Sequence, residues 1–389
     1  MKLNFKNLIP IKNKVKSHSD KSFFMKTSQY STVTKKNDCE HFYNPIVYRC
    51  VNLISSNLAS NKILLYQKID DKIIEITSHS IIDLLNKPND RLSGKQFFEE
   101  ISANLLLHGN CYIHLNKDSS GMIKSMNLLR PDRVSVSVNQ SNQSLDYNYN
   151  INDKNYIFNN FNIKSTNNEI IHIKNFNPYN DLYGLSPLLV AKQSIEQYDS
   201  AIEWNKSLLK NGARPSGALI IKDKNGNGYL TDEQFYRLKQ EIEEKFSGEG
   251  NSGKVMLLEG SMEWKEMGIS PRDMDFIMTK DSAARDIAIS FNIPAQILGI
   301  KGDNTFNNMK EARNALWEEA IIPLLEKIIS CFNNIISQYY GSDFFISYDE
   351  DKIPNMIERR QELWNNVNNA TFISDQEKRE MLGFSSIQK

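Results

Sequence analysis

A chain of 389 residues, 40% hydrophobic and 24% charged, holds enough apolar material for one large core or two to three modest ones, which excludes a chain dominated by disorder. No stretch approaches the roughly eighteen apolar residues needed to cross a bilayer, and MKLNFKNLIPIKNKVKSHSDK scatters lysines where a secretory signal needs an unbroken apolar centre, so a soluble cytoplasmic protein with no membrane partner is expected. The formal net charge of zero conceals a basic arm: residues 1–36 hold nine lysines against Asp20, a net of +8, which reads as a solvated tail, and the acidic remainder lacks the basic surplus of a DNA-binding domain.

The first element is a helix in NPIVYRCVNLISSNLAS. Asn44 is placed as its N-cap, Pro45 suits the first helical position, and Val47, Val51, Ile54 and Leu58 repeat at helical spacing. A strand follows at Ile63 to Gln67. In SGKQFFEEISANLLLHGN, Ser93 and Gln96 have capping-box spacing and Gly109 ends the helix, which gives way to the strand CYIHL. Between Val134 and Ile173, VSVSV, LDYNYNI and EIIHI read as β-hairpins joined by Asn-rich turns. An α+β body results.

Ser186 and Pro187 open a long helix that runs to Asn211 and Gly212. A compact insertion comes next: strand GALII, a Gly/Asn turn, a helix capped by Thr231 and Gln234, then strands KVMLLE and MEWKEM. Ser270 and Pro271 start a second long helix that stops at Asn292 and Pro294. Beyond a loop from Gly299 to Asn308, a third helix reaches about Tyr340, with Pro323 in its interior to kink it. A strand near DFFISYD, a helix around Arg359 to Val367, and a short helix capped by Ser374 and Glu377 complete the chain.

Several segments imitate chemical motifs. GEGNSGKV, Gly248 to Val255, is near the phosphate-binding loop of a nucleotide-hydrolysing motor, but Val255 stands where magnesium needs Ser or Thr, and the loop enters a strand rather than a helix. DKNGNGYLTDEQ places Asp223, Asn225, Asn227 and Gly228 like a calcium-binding module, yet Gln234 holds the position of the bidentate glutamate. His108, Cys111 and His114 are spaced by threes, which in an extended strand sends Cys111 and His114 to opposite faces, away from a common metal ion. Ser186 in YGLSP reads as a helix cap rather than a nucleophile. The four cysteines (Cys39, Cys50, Cys111 and Cys331) lie far apart and read as buried reduced thiols. No catalytic residue, cofactor or metal site is expected from these patterns.

What the motifs leave unexplained, one resemblance covers from about residue 40 to 385. NPIVYRCVNLISSNLAS, HSIIDLLNKPNDRLSGKQFFEEISANLLLHGNCYIHL, LLRPDRVSV, the long block from EIIHIKNF to PSGALI, SGKVMLLEGSMEWKEMGISPRDMDF and above all DIAISFNIPAQILGI resemble, in order and spacing, the portal proteins of long-tailed phages. The resemblance implies a non-enzymatic subunit of a ring, expected to be a dodecamer, at one capsid vertex of a virion, assembled in the host cytoplasm, whether phage or prophage. Double-stranded DNA would pass through without sequence-specific contacts, and the terminase large subunit, major capsid protein and a head-completion adaptor would be partners. It divides the chain into a basic arm (1–40), a wing (41–185), a stem helix (186–212), a clip (213–270), a second stem helix (271–297), a tunnel loop with a long kinked helix returning to the wing (298–349), and short crown-side helices (350–389). In the loop, Lys301, Asp303, Asn304, Thr305, Asn307 and Asn308 are expected to face the DNA channel.

Overall fold

The structure, a computed structural model, describes residues 43–70, 72–138, 144–152, 154–160, 168–210, 217–221, 231–246, 262–266, 276–300, 306–350, 353–370 and 372–382. Helix α1 (Pro45–Ala59) starts where the sequence places it: the Asn44 side chain accepts from the amides of Ile46 and Val47, and Val47, Cys50, Ile54 and Leu58 form its buried stripe. Strands β1 (Ile63–Ile69) and β2 (Lys72–Ile76) form a hairpin, followed by the short α2 (Ser80–Asn86). Helix α3 (Gly94–His108) opens with the full Ser93–Gln96 capping box and closes on Gly109 in the left-handed region, with φ of 71°.

Strand β3 (Asn110–Lys117) lies between β4 (Ile123–Leu129) and β8 (Ile170–Lys174), antiparallel to both. Its alternation serves two cores. Cys111, Ile113 and Leu115 point into the larger one, whereas Tyr112 points into a second, where it meets Tyr147 and Phe158. That second core is roofed by a meander of β5 (Val134–Val138), β6 (Leu145–Ile151) and β7 (Lys154–Asn160). EIIHI is therefore not part of a hairpin series: β8 leaves the meander to pair with β3, because a strand with Ile170, Ile171 and Ile173 all buried needs cover on both faces.

The expected first long helix is interrupted at Ala191, giving α4 (Pro187–Val190) and α5 (Lys192–Lys210). Strand β9 (Gly217–Ile221), helix α6 (Asp232–Phe246) and strand β10 (Met262–Glu266) follow, with β9 and β10 antiparallel. Helix α7 (Phe276–Ser290) leads to a single 3-10 turn at Ala295–Leu298. The third helix is also segmented: α8 (Phe306–Ala315), a π-helical turn (Leu316–Ile321), then α9 (Ile322–Tyr340). The π turn ends two residues before Pro323, so the distortion expected from that proline is drawn into a widened turn on its N-terminal side. Strand β11 (Phe344–Tyr348) returns to pair with β1. Helices α10 (Pro354–Asn369) and α11 (Asp375–Met381) end the described chain.

Helix α9 is the spine of the larger core: Leu325 and Ile328 are fully buried, β11 packs along the helix, and its Phe332 ring lies 5.6 Å from Phe98 of α3. The stretch Asn308–Tyr340 is long and apolar enough to cross a bilayer by composition, but half of its most apolar window is buried in the body, as a core helix requires.

Candidate channel and ring-forming elements

Helices α5 and α7 pack side by side along their length. Their seam is built from small residues: Ala201 on α5 and Ala283, Ala284 and Ala288 on α7 are buried together with Ile195, Tyr198 and Ile287. Alanines let two backbones approach closely, while Tyr198 fills the wider part and receives the Lys280 ammonium 5.5 Å from its ring centroid. The pair is tied to the body by Asn44, whose amide donates to the Asp199 carboxylate at 2.9 Å. Outside the seam, Ile202, Met278 and Ile289 are exposed on the same two helices, and Leu189 and Val190 on α4. One flank is thus sealed within the subunit, and apolar side chains remain on the outside.

The described residues on either side of the segment expected to face DNA belong to the packed body. On the near side, the Ile293 amide donates to Ala288, the 3-10 turn closes on Gly299 in the left-handed region, and Ile300 is buried in the larger core. On the far side, α8 starts at Phe306, packs against that same 3-10 turn, and runs through the π turn into α9. Lys301, Asp303, Asn304 and Thr305 lie outside the described residues. Asn307 and Asn308 fall in the first turn of α8, and Asn308 is exposed.

The motif look-alikes resolve unevenly. GEGNSGKV, Asp223 to Gly228, KVMLLE and the start of the second long helix at Ser270 and Pro271 lie outside the described residues, as do the basic arm and Cys39. Thr231 and Gln234 form the expected capping box: the Gln234 carbonyl accepts from the Thr231 amide at 3.1 Å, and the Thr231 hydroxyl accepts from the Gln234 amide at 3.4 Å. Ser186 is a buried helix cap whose hydroxyl accepts from the Leu189 amide at 3.0 Å. Cys111 and His114 do point to opposite faces of β3, Cys111 into the larger core and His114 against the Phe158 ring. Among the described residues no three metal-binding side chains converge. Burial pushes the Cys50 thiol up to about 12 and raises that of Cys111, so neither is a nucleophile at neutral pH.

The sequence reading did not single out a polar node at the wall between the two cores. The Asn110 amide donates to the carbonyls of His108 (2.9 Å) and Gly184 (3.3 Å), while its carbonyl oxygen accepts from the Gly184 amide (2.7 Å) and sits 3.1 Å from His172 Nε2. An acceptor there fixes the proton of the neutral ring on Nε2. Here two chain segments cross so closely that a Cβ on Gly184 would lie 2.1 Å from the Gly109 carbonyl oxygen. This crossing is what YGLSP encodes: Gly184 for the contact, Ser186 for the cap and Pro187 for the first helical position.

An α/β body, a packed helix pair with a small module between its members in sequence, and a segmented helix that becomes the spine of the core make up a fold shared with neck proteins of phage-like particles. The structure aligns with a chain from the neck of a native gene transfer agent particle computed with C12 symmetry, at TM-score 0.68 and 33% identity, over 91% of this chain and 95% of that one. The portal protein of Enterobacteria phage HK97 is 25% identical over 65% of this chain and 57% of its own length. The crystal structure of an HK97-family phage portal protein from Corynebacterium diphtheriae shares the fold, with TM-score 0.55 at 16% identity over 81% of this chain and 97% of that one. The sequence matches the phage portal protein family over residues 45–383, and the chain belongs to that family.

Proposed function

We propose that this chain is the subunit of a portal ring at a capsid vertex, the conduit through which double-stranded DNA enters and leaves a phage or phage-derived particle. The observation that carries the mechanism is the α5–α7 pair, sealed on one flank and with apolar side chains left on the outside. Long helices standing side by side around an axis bury their outer stripes against neighbours over interfaces of obligate size. The C12 symmetry of the gene transfer agent neck supports twelve copies.

On this reading residues 41–185 form the wing, α5 and α7 the stem, 213–270 the clip facing the terminase large subunit and the head-completion adaptor, and 350–389 the crown side. The wing borders the major capsid protein. Lys301, Asp303, Asn304, Thr305, Asn307 and Asn308 touch the DNA backbone without reading bases. A sliding duplex calls for such a surface, because each phosphate neutralised by a fixed cation adds salt-dependent affinity and would arrest it. The chain's acidic remainder avoids that trap. The subunit has no chemistry of its own, and nucleotide hydrolysis is left to the motor that docks on it.

Negative-stain microscopy of the full-length protein at high concentration tests the conduit. Rings with a central hole are expected, and a strictly monomeric protein in the presence of assembling shells would sink the assignment. Robust ATP turnover by the purified protein would favour a motor instead, and stoichiometric calcium uptake in calorimetry would favour a calcium-regulated module.

A further inference from the structure

The loop between β8 and α4 holds two aromatic side chains out in solvent: Phe176 is 83% exposed and Tyr179 is 96% exposed. Asparagines pin the backbone that carries them. The Asn175 amide nitrogen donates to Gly109 and its side chain to Leu105, Asn177 accepts from the Tyr179 amide at 3.0 Å, and Asn180 accepts from Leu182 and Tyr183. Rigid aromatic groups on a fixed loop lose little freedom on association, which suits them to anchor an interface.

A cavity of about 330 Å³ opens at the other end of α3. Its apolar wall is Ile82, Leu85 and Phe98, and Lys62, Glu75 and Lys95 stand around it. That composition fits an aromatic ring with a polar tip: the ring against the aliphatic wall, a phenol hydroxyl toward the carboxylate, and ammonium groups near the ring face.

The positions of the two features select the occupant. The loop is bonded to Leu105 and Gly109 at the C-terminal end of α3, whereas Lys95 and Phe98 belong to its N-terminal turns. A fifteen-residue helix separates these ends by about 22 Å, so a subunit's own aromatic pair does not fill its own cavity. Two different, complementary patches at separate ends of α3 suit a head-to-tail contact, the kind that closes into a ring. Resting on the portal reading, we propose that Phe176 and Tyr179 of each subunit seat in the α3 cavity of the neighbouring copy.

Pairing Tyr179→Cys with Lys95→Cys in the full-length protein tests this contact. After ring assembly and mild oxidation, non-reducing electrophoresis is expected to show a ladder of linked subunits that collapses on reduction, with no ladder from either single variant. Rings that are visible by microscopy but give no ladder would overturn the contact and leave the portal assignment intact. Absence of rings from the unmodified protein would remove both. Independently, Phe176→Ser with Tyr179→Ser is expected to raise the concentration needed for half-assembly at least about tenfold while the subunit's melting temperature stays unchanged. Unaltered assembly by that variant would also overturn the contact.

Discussion

His172 lies between Tyr112, stacked at 4.4 Å, and the Asn110 carbonyl, and burial pushes its pKa down to about 3. His114 is pushed down to about 4 for the same reason, and His108 is also lowered. A histidine whose folded pKa is depressed binds fewer protons than in the unfolded chain, so its stabilising effect is complete above the ordinary value near 6.5 and drains away as pH falls toward 3 to 4. Between pH 7 and pH 5 each of His172 and His114 is expected to cost up to about 2 kcal/mol of stability, read from denaturant midpoints, and His172→Asn should flatten that slope. Equal midpoints at the two pH values would show that these rings charge without penalty. Asn110→Ala removes four polar contacts at once and should destabilise by about 3 kcal/mol in the same assay. None of this was legible in the sequence, because Asn110, His172 and Gly184 are distant in the chain and meet only where two segments cross. The Ser186 cap was legible, since its partners lie within one helical turn.

At the scale of elements, caps and breakers announce helices because they act locally. The caps Asn44, Ser93, Thr231 and Ser374 all hold bonds at the termini the sequence assigns to them. Strand partners are less visible, since pairing β8 with β3 and β11 with β1 depends on burial that no local pattern encodes. The π turn before Pro323 was hidden for another reason. Its i to i+5 bonds insert one residue into the helix and shift the buried stripe from Ala312, Leu316 and Ala320 to Ile321, Leu325 and Ile328. Deleting Glu319, exposed within that turn, should turn α8 by about 100° relative to α9 and expose part of the stripe. A drop of at least about 2 kcal/mol in unfolding free energy is expected for the deletion, against less than about 0.5 kcal/mol for Glu319→Ala. Similar losses for the two variants would mean that the widened turn does not set the phase.

At the scale of the whole molecule, exposed apolar side chains on the α5–α7 pair mark what the isolated subunit leaves unfinished. Met278 and Ile289 are 66% and 67% exposed, so Met278→Lys and Ile289→Lys should change subunit stability by less than about 0.5 kcal/mol. In sedimentation, the same variants should shift the population from rings to single subunits, because a charge there must be desolvated without a partner. Rings that persist undiminished would place these side chains away from neighbours. The helix pair was legible in part: Ser186 and Pro187 open the first run and Pro294 follows the second, while the expected start at Ser270 and Pro271 lies outside the described residues. The outward side chains gained meaning only once the alanine seam revealed which flank was already closed.

The way α8 joins α9 also has a mechanical side. Helix α8, which begins at Phe306, continues through one widened turn into the rod at the centre of the body. A push delivered at the N-terminal end of α8 is carried as axial load toward Leu325, Ile328 and their neighbours. The widened turn is the natural place for such load to be absorbed, so a force applied at the start of α8 is felt in the subunit's interior.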